Sequence, residues 1–512
     1  MHASDNPVLL HRMLPGLRNF LVAITASVLA VWIGISLAQE DYFVAALSAG
    51  ASLWVVLSWT RGPLAEAWLL AFLFVGYVIG NRGFAQINPV PGLPVFFSEL
   101  GLGFAFSMVV LRCSLKRELP LRRDWLNGLL LFWLALGAGR LALDIRQYGF
   151  MAMRDFAMVY YVLYFFTAQA LAQHEPSRRL LHQAIILTFA VLPVVGLLAT
   201  TLPVFFLTHF LVAGVPLIFI KGDLLATFLF TGYVILLPSA RISWNDSLWR
   251  WAASLVSLTL GLTTLSRSSL VGLLVAIGWL ALAGRFRHLR TLITVCAVGL
   301  FAVTVYSLLR REDFTRTKAY AIYEAAASIF DYSGTANYEN EMSSNKGDNN
   351  RFRLIWWKNV AEETLATSPV TGLGFGHDLA KGFLLEYYPT NDTEFTARSP
   401  HNVFVTVFGR MGLLGVAALL AIYWVIGRGT ARAAQLARLD STKQDNMTLY
   451  AAIWVIMISA CFGVVLEGPM GAMPFWIMLG LVHFAASEVN AAPIAAALPT
   501  SCVIDSIKSD NR

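Results

Sequence analysis

Charge is what this sequence has least of. Only 13% of its 512 residues are Asp, Glu, Lys or Arg, against roughly a quarter in a soluble globular domain. With 57% hydrophobic residues and a mean hydropathy of +0.63, the chain cannot cover itself with a water-facing surface. An ordinary soluble domain is excluded. Cysteine is sparse too: Cys113, Cys296, Cys461 and Cys502 are scattered, none forms a CxxC pair, and none falls in the longest hydrophilic stretch. That pattern excludes a disulfide framework and a cysteine metal site. There is no P-loop, no HExxH, no Gly-rich dinucleotide turn and no GxS in a hydrolase context. The start, "MHASDNPVLLHRMLPGLRN", has neither the long apolar run nor the small-residue site of a cleavable signal. No internal repeat is evident, which disfavours the paired inverted halves common in transporters. The net charge of +7 belongs to separate loops and does not describe a nucleic-acid-binding surface.

Long apolar runs are what the sequence does have. Runs of about 20 residues, the length that crosses the ~30 Å hydrocarbon core, recur from end to end. They predict an all-α polytopic membrane protein rather than a barrel, whose strands would be short and alternating. We place about 14 transmembrane helices (12–15 fit) near 19–38, 42–59, 63–80, 96–112, 125–141, 155–172, 180–200, 222–238, 248–264, 268–284, 291–309, 402–426, 448–466 and 471–487. The apolar piece 203–220, broken by Pro203, His209 and Pro216, reads as re-entrant or interfacial, with a fifteenth span as the alternative. The basic clusters "RCSLKRELPLRRD", "RFRHLR" and "RGTARAAQLARLDSTK" fall on one side, and the short loops of the other side carry few cations. The positive-inside rule then puts both termini in the cytoplasm.

The organisation that follows is an N-terminal bundle over 1–309, a large outward loop over 310–400, C-terminal membrane helices over 401–487 and a cytoplasmic tail over 488–512. The loop is too long for a connector and should form a mostly helical subdomain. "RTKAYAIYEAAASIF" reads as an amphipathic helix and "YSGTANYENEMSSNKGDNN" as a polar, flexible stretch. A second helix follows over "NNRFRLIWWKNVAEETLAT", with Asn350 as its N-cap. "TGLGFGHD" is a Gly-rich turn, and the chain re-enters the membrane at His401. The acidic "DTE" at 392–394 is read as solvated charge, and no metal site is expected.

Cations on the outward side oppose the topology, so they draw attention. Arg140, Arg146 and Arg154 share one outward segment, Arg267 sits in the tight turn of "LTTLSRSSLVG", and "NNRFRLIWW" adds Arg351 and Arg353. Guanidinium groups at a membrane face match phosphate oxygens; snorkelling to lipid headgroups is the plainer alternative. "SPHNVFVTVFGRMGLLG" adds His401, which can accept a proton near neutrality, and Asn402, which could orient it or meet a sugar. An interfacial histidine capping the next helix is the alternative there. Arg410 lies about 13 Å deeper along that helix. It should be a paired structural charge, with Glu99 of "FFSELGLG" and Glu467 of "VVLEGPMG" as candidate partners. Gly409, Gly412 and Gly415 should allow close helix packing.

"TLSRSSLVGLLVAIGWLAL", "RFRLIWWKNVAEETLATSPVTGLGFG" and "HNVFVTVFGRMGLLG" resemble, in order and spacing, the core of the O-antigen ligase and polymerase family. "GFAQINPVPGLPVFFSELGL" and "DIRQYGFMAMRDFAMVYYVLYFF" are similar to family segments as well. The resemblance implies a GT-C-like glycosyltransferase of the bacterial inner membrane, with its large loop in the periplasm. Such an enzyme moves a glycan from an undecaprenyl-diphosphate carrier to an acceptor hydroxyl, which lies on a glycan or on lipid A-core, without a metal or other cofactor. Membrane lipids are its remaining partners, and nucleic acid is not one.

Carried over, the resemblance gives His401 the catalytic role. It gives Arg267 and Arg351 the diphosphate or glycan, with Trp356 on the same loop helix and Arg154 as a further outward arginine. The sequence departs from the family pattern at Arg410, where an acidic residue is common, and in having more than the usual twelve spans. A transporter or flippase for an anionic lipid is the rival reading of the same outward arginines and intramembrane charge.

Overall fold

The computed structural model describes residues 42–89, 95–116, 121–237, 244–310, 341–387, 398–440 and 444–496, with scattered positions in 27–39 and 313–324. It is almost wholly helical. From residue 42 onward each apolar run falls on a helix, and seven of the described helices are long and apolar enough to cross a membrane. These are Pro63–Gly80, Phe97–Leu115, Trp125–Tyr148, Phe150–Ala172, Glu175–Thr201, Arg287–Leu309 and Val403–Leu439. Most of the run at 19–38, the "DTE" triplet and Cys502 lie outside the described residues.

Helix length separates periphery from centre. The helices Gly222–Leu236, Arg267–Leu282, Asp445–Ala460 and Pro469–Ala485 are shorter, and most are densely buried. At 1.5 Å per residue the first covers only about 22 Å. A helix wrapped by protein can end inside hydrocarbon depth, because its terminal backbone groups face protein or a cavity rather than lipid. Gly222–Leu236 packs against its neighbours Glu175–Thr201, Trp244–Thr263, Arg267–Leu282 and Gln444–Ala460. Arg267–Leu282 and Gln444–Ala460 touch closely because Gly272 lies against the Val455 backbone, where a Cβ would come within 2.7 Å of the carbonyl oxygen. Arg287–Leu309, by contrast, leaves most of its apolar surface outward.

Residues 203–220 do not form a span. They fold as a short helix, Pro203–His209, followed by a two-residue hairpin pairing Leu211–Val212 with Val215–Pro216. The chain then runs beside Gly80–Gly83, where Phe219 N donates to Gly80 O and Gly83 N to Phe219 O. Asn81 Oδ1 accepts from Lys221 N at 3.1 Å and so fixes the entry to Gly222–Leu236.

Between the long apolar helices, the loop helix Glu341–Thr367 and the turn after it have a small core of their own. Trp356, Val360, Leu379, Ala380 and Phe383 are nearly or fully buried there. The polar stretch read as flexible is helical from Glu341 to Asn350, because Glu341–Thr367 is one continuous helix.

Candidate functional site

The site forms at one end of the bundle, where the loop helix, the start of Val403–Leu439 and the starts of Gly222–Leu236 and Arg267–Leu282 converge. Asn402, not His401, caps the helix that re-enters the bundle: its Oδ1 accepts from Phe404 N and Val405 N at 2.9 and 3.2 Å. His401 is thereby left outside the helix in a left-handed conformation, φ 58°. Such backbone is uncommon for a residue with a Cβ, and it persists only where neighbours over-determine it. Two contacts do so here: Trp357 Nε1 donates to Pro400 O at 2.6 Å, and His401 N donates to Ser399 Oγ at 3.3 Å.

The imidazole packs edge-on to Trp356, with ring centroids 5.9 Å apart. Its Nδ1 is buried and has no hydrogen-bond partner among the described residues. Burial, followed by the nearby cations Arg353 and Lys221, pushes its pKa down to about 4; Asp223 pulls the other way. The ring is therefore neutral at pH 7 and can offer a lone pair.

Beside it lies a cavity of about 150 Å³ lined by Arg267, Ser268, Asn350, Arg353, Trp357 and Phe462. Arg267 is the first residue of its helix, with Ser266 as N-cap. The positive end of that helix and two guanidinium groups thus face one small volume, an arrangement suited to an anion. Burial depresses the Arg353 pKa, and Asp223 is the acidic group that offsets it. Asp223 pairs with Lys221 at 3.3 Å.

A second layer holds the loop to the bundle. Gly412 breaks the helix Val403–Leu439 with φ 64° and ψ −158°. The break frees backbone groups that take the Gly-rich turn: Leu373 N donates to Gly409 O at 2.7 Å and Leu413 N to Pro369 O at 2.9 Å. A Cβ on Gly372 would lie 2.6 Å from Gly412 N, so the two glycines allow the backbones to touch. Arg410 completes the junction. It pairs with Asp155 at 2.7 Å and donates to Gly374 O and His377 O. The same Asp155 carboxylate accepts from Gly376 N at 2.9 Å, and Arg398 donates to Gly376 O at 2.8 Å.

Of the residues singled out from sequence, Arg267 lines the cavity, while His401 lies outside its lining and near it, through the bond from Trp357 to Pro400 O and the charge of Arg353. Arg351 does not line it: it is exposed, and Arg353, two positions on and so on another face of the helix, is the arginine that does. Arg154 is exposed on a short helix, Phe150–Asp155. Trp356 is fully buried and spends its only polar hydrogen on Leu379 O at 2.7 Å, so it supports His401 from behind and presents nothing to a ligand. Asn402 is occupied as a cap.

The partner of Arg410 is Asp155, not Glu99 or Glu467. Glu99 accepts from Tyr160 and Tyr161 at 3.0 and 2.5 Å, and Glu467 accepts from Thr406 at 3.0 Å. Sequence reading passed over Asp223, Asp155, Trp357 and the role of Lys221. The one available signal was "KGD", a charge pair set between a broken apolar piece and an uninterrupted one.

Residues 252–420 match the family model for O-antigen ligase. Over those 169 of 512 residues the chain is similar to the O-antigen ligase family. It contains Arg267, Arg353, His401 and Arg410, while Lys221, Asp223 and Asp155 reach the site from outside the matched range. The matched stretch thus completes its surroundings with residues of the preceding bundle. Its family supports glycan transfer of the ligase or polymerase type by a multi-pass membrane protein, with a lipid-linked glycan and an acceptor as general partners. No curated protein matches the chain.

Proposed function

We propose that the chain is an inner-membrane glycosyltransferase that moves a glycan from an undecaprenyl-diphosphate carrier to an acceptor hydroxyl at the periplasmic face. The observation that carries this reading is a neutral, buried His401 whose Nδ1 lacks a partner among the described residues, near a cavity lined by two arginines, one of them at a helix N-terminus.

The chemistry follows from that geometry. The acceptor oxygen attacks the anomeric carbon of the donor sugar, the bond from that carbon to the diphosphate oxygen breaks, and the diphosphate departs with the bonding electrons. His401 takes the hydroxyl proton, a role that general-base catalysis rewards with roughly 10²–10⁴-fold in rate. Arg267 and Arg353 stabilise the charge gathering on the leaving diphosphate, where preorganised donors in a dry site contribute several kcal/mol. This reading gives the anion to Arg353 rather than Arg351, and needs no metal. The apolar helices around the cavity would hold the carrier's chain, which accounts for a site at a membrane face.

The test is transfer by the purified chain in vesicles holding lipid-linked glycan and an acceptor. Transfer lost in His401→Ala, with protein level and helix content unchanged, is the expected result. Full transfer in that variant overturns the reading. So does lipid-linked glycan that crosses the bilayer with no new glycosidic bond, the behaviour of a flippase. A deletion strain separates the two transfer types: single repeats on the acceptor mean a polymerase, and long lipid-linked chains with a bare acceptor mean a ligase.

A further inference from the structure

A cavity larger than the one lined by Arg267 and Arg353 lies elsewhere. A cleft of about 940 Å³ opens at the opposite end of the bundle, between the start of Trp125–Tyr148, the last turns of Val403–Leu439, the start of Gln444–Ala460 and Pro469–Ala496. It lies some twenty residues along the kinked helix from His401, roughly 30 Å at 1.5 Å per residue, which is the thickness of a bilayer core.

Its lining changes character along its length. Trp424, Arg428 and Arg432 follow one another at i, i+4 and i+8, so they form one stripe on a single helix face. Trp125 stands across the cleft, 81% exposed, and Trp424 is 68% exposed. Two exposed indoles in one cleft suit a membrane–water interface, where tryptophan is enriched. Arg428 and Arg432 are exposed, and among the described residues neither has an acidic partner. The acidic side chain in the lining, Asp124, is already engaged: it accepts from His483 Nε2 at 3.0 Å and from Asn127 N and Nδ2, both at 2.9 Å. The cleft therefore combines apolar walls, an aromatic rim and two uncompensated cations at headgroup depth.

We propose that this cleft is a binding site for an acidic diacyl phospholipid of the leaflet opposite His401. The acyl chains lie along the apolar walls, and the phosphate is held between Arg428 and Arg432. Basic pockets between membrane helices take acidic headgroups in this way, each cation near the surface contributing about a fivefold preference.

The probe is phosphatidylglycerol against phosphatidylethanolamine. The full chain is equilibrated with equal amounts of both in mild detergent, repurified, and the lipid retained per protein is measured by mass spectrometry. The wild type should retain phosphatidylglycerol about twenty-fivefold over phosphatidylethanolamine, and R428Q/R432Q should bring the two level. Arg438→Gln, an exposed arginine on the same helix outside the cleft, should leave the preference intact and so separates a site from bulk charge. Equal retention of the two lipids by the wild type overturns the proposal. So does an unchanged preference in R428Q/R432Q, or a loss of equal size in Arg438→Gln. Stronger retention of a polyprenyl phosphate than of phosphatidylglycerol overturns the assignment to a diacyl lipid.

Discussion

Arg410 and Asp155 meet at 2.7 Å although 255 positions separate them, and each also binds the backbone of the Gly-rich turn. The pair therefore ties three segments together: the short helix Phe150–Asp155, the turn 372–378 and the kinked helix that begins beside His401. Neither side chain reaches the cavity of Arg267 and Arg353. Their part in the proposed transfer would be to fix where the loop sits, and with it Trp356, Trp357 and His401.

Breaking that pair should cost more than removing it. Arg410→Met leaves Asp155 buried with Gly376 N as a remaining partner, and Asp155→Asn leaves a buried guanidinium without its counter-charge. Each single change should destabilise the protein by about 3 kcal/mol or more, as for other buried pairs cut on one side. The double variant should recover part of that loss. Thermal unfolding in detergent of the four proteins measures it, and additive losses would show that the two side chains act independently.

If His401 is the proposed base, its titration sets the pH at which transfer fails. Its folded-state pKa is about 4, below the usual 6.5 for histidine. The neutral, proton-accepting form therefore persists on acidification and is lost only near pH 4. The acid limb of the turnover rate should lie there. Arg353 depresses this pKa and Asp223 raises it. In consequence Arg353→Gln should move the limb towards neutral pH and Asp223→Asn should move it lower. Turnover at saturating donor, followed from pH 3.5 to 8, reads both directions. A limb that stays put in both variants would remove these two charges from the account.

Much of the periphery was legible from hydropathy, because a lipid-facing helix needs both length and a continuous apolar surface. The centre was less so. The short helices Gly222–Leu236 and Arg267–Leu282 fall where spans are read at 222–238 and 268–284, but how they pack could not be read from hydropathy. Arg351 and Arg353 could not be ranked either, since helical phase relative to a cavity depends on packing. Asp155 could not be matched to Arg410 from one sequence, because nothing local links two sites so far apart in the chain. His401 and Arg267 stood out in the sequence because a histidine at a membrane re-entry and a cation in an outward turn are costly, and the structure places Arg267 in the wall of a cavity.

Trp357 should prove more selective than Trp356. Trp357→Phe keeps an aromatic ring in the cavity wall but removes the hydrogen bond to Pro400 O. A loss of about 1 kcal/mol in stability is expected. The larger effect should fall on transfer, because the strained His401 backbone loses one of its two restraints. Trp356→Ala opens the loop's small core instead and should cost about 3–5 kcal/mol. Unfolding curves and transfer rates for both variants test the contrast. Equal stability losses would mean that the loop core does not rest on Trp356.

Gly412 should be the glycine least tolerant of alanine. Its φ of 64° is strained for any residue with a Cβ, and the added methyl would press on the Val370 carbonyl and sit 2.6 Å from Gly372 N. Relief requires either straightening the helix or expelling the turn, and both release the backbone bonds to Pro369 and Gly409. Strain alone accounts for about 1–3 kcal/mol, and transfer should fall further as the loop detaches. Gly278 supplies the control: it lies inside the helix Arg267–Leu282, and a Cβ there meets nothing within 4 Å. Gly278→Ala should be neutral or stabilising by up to about 1 kcal/mol, the intrinsic helix preference for alanine. Unfolding temperature and transfer rate, measured side by side, decide the matter. If Gly412→Ala and Gly278→Ala behaved alike, the helix break would be incidental and the interlock with the Gly-rich turn would not govern the site.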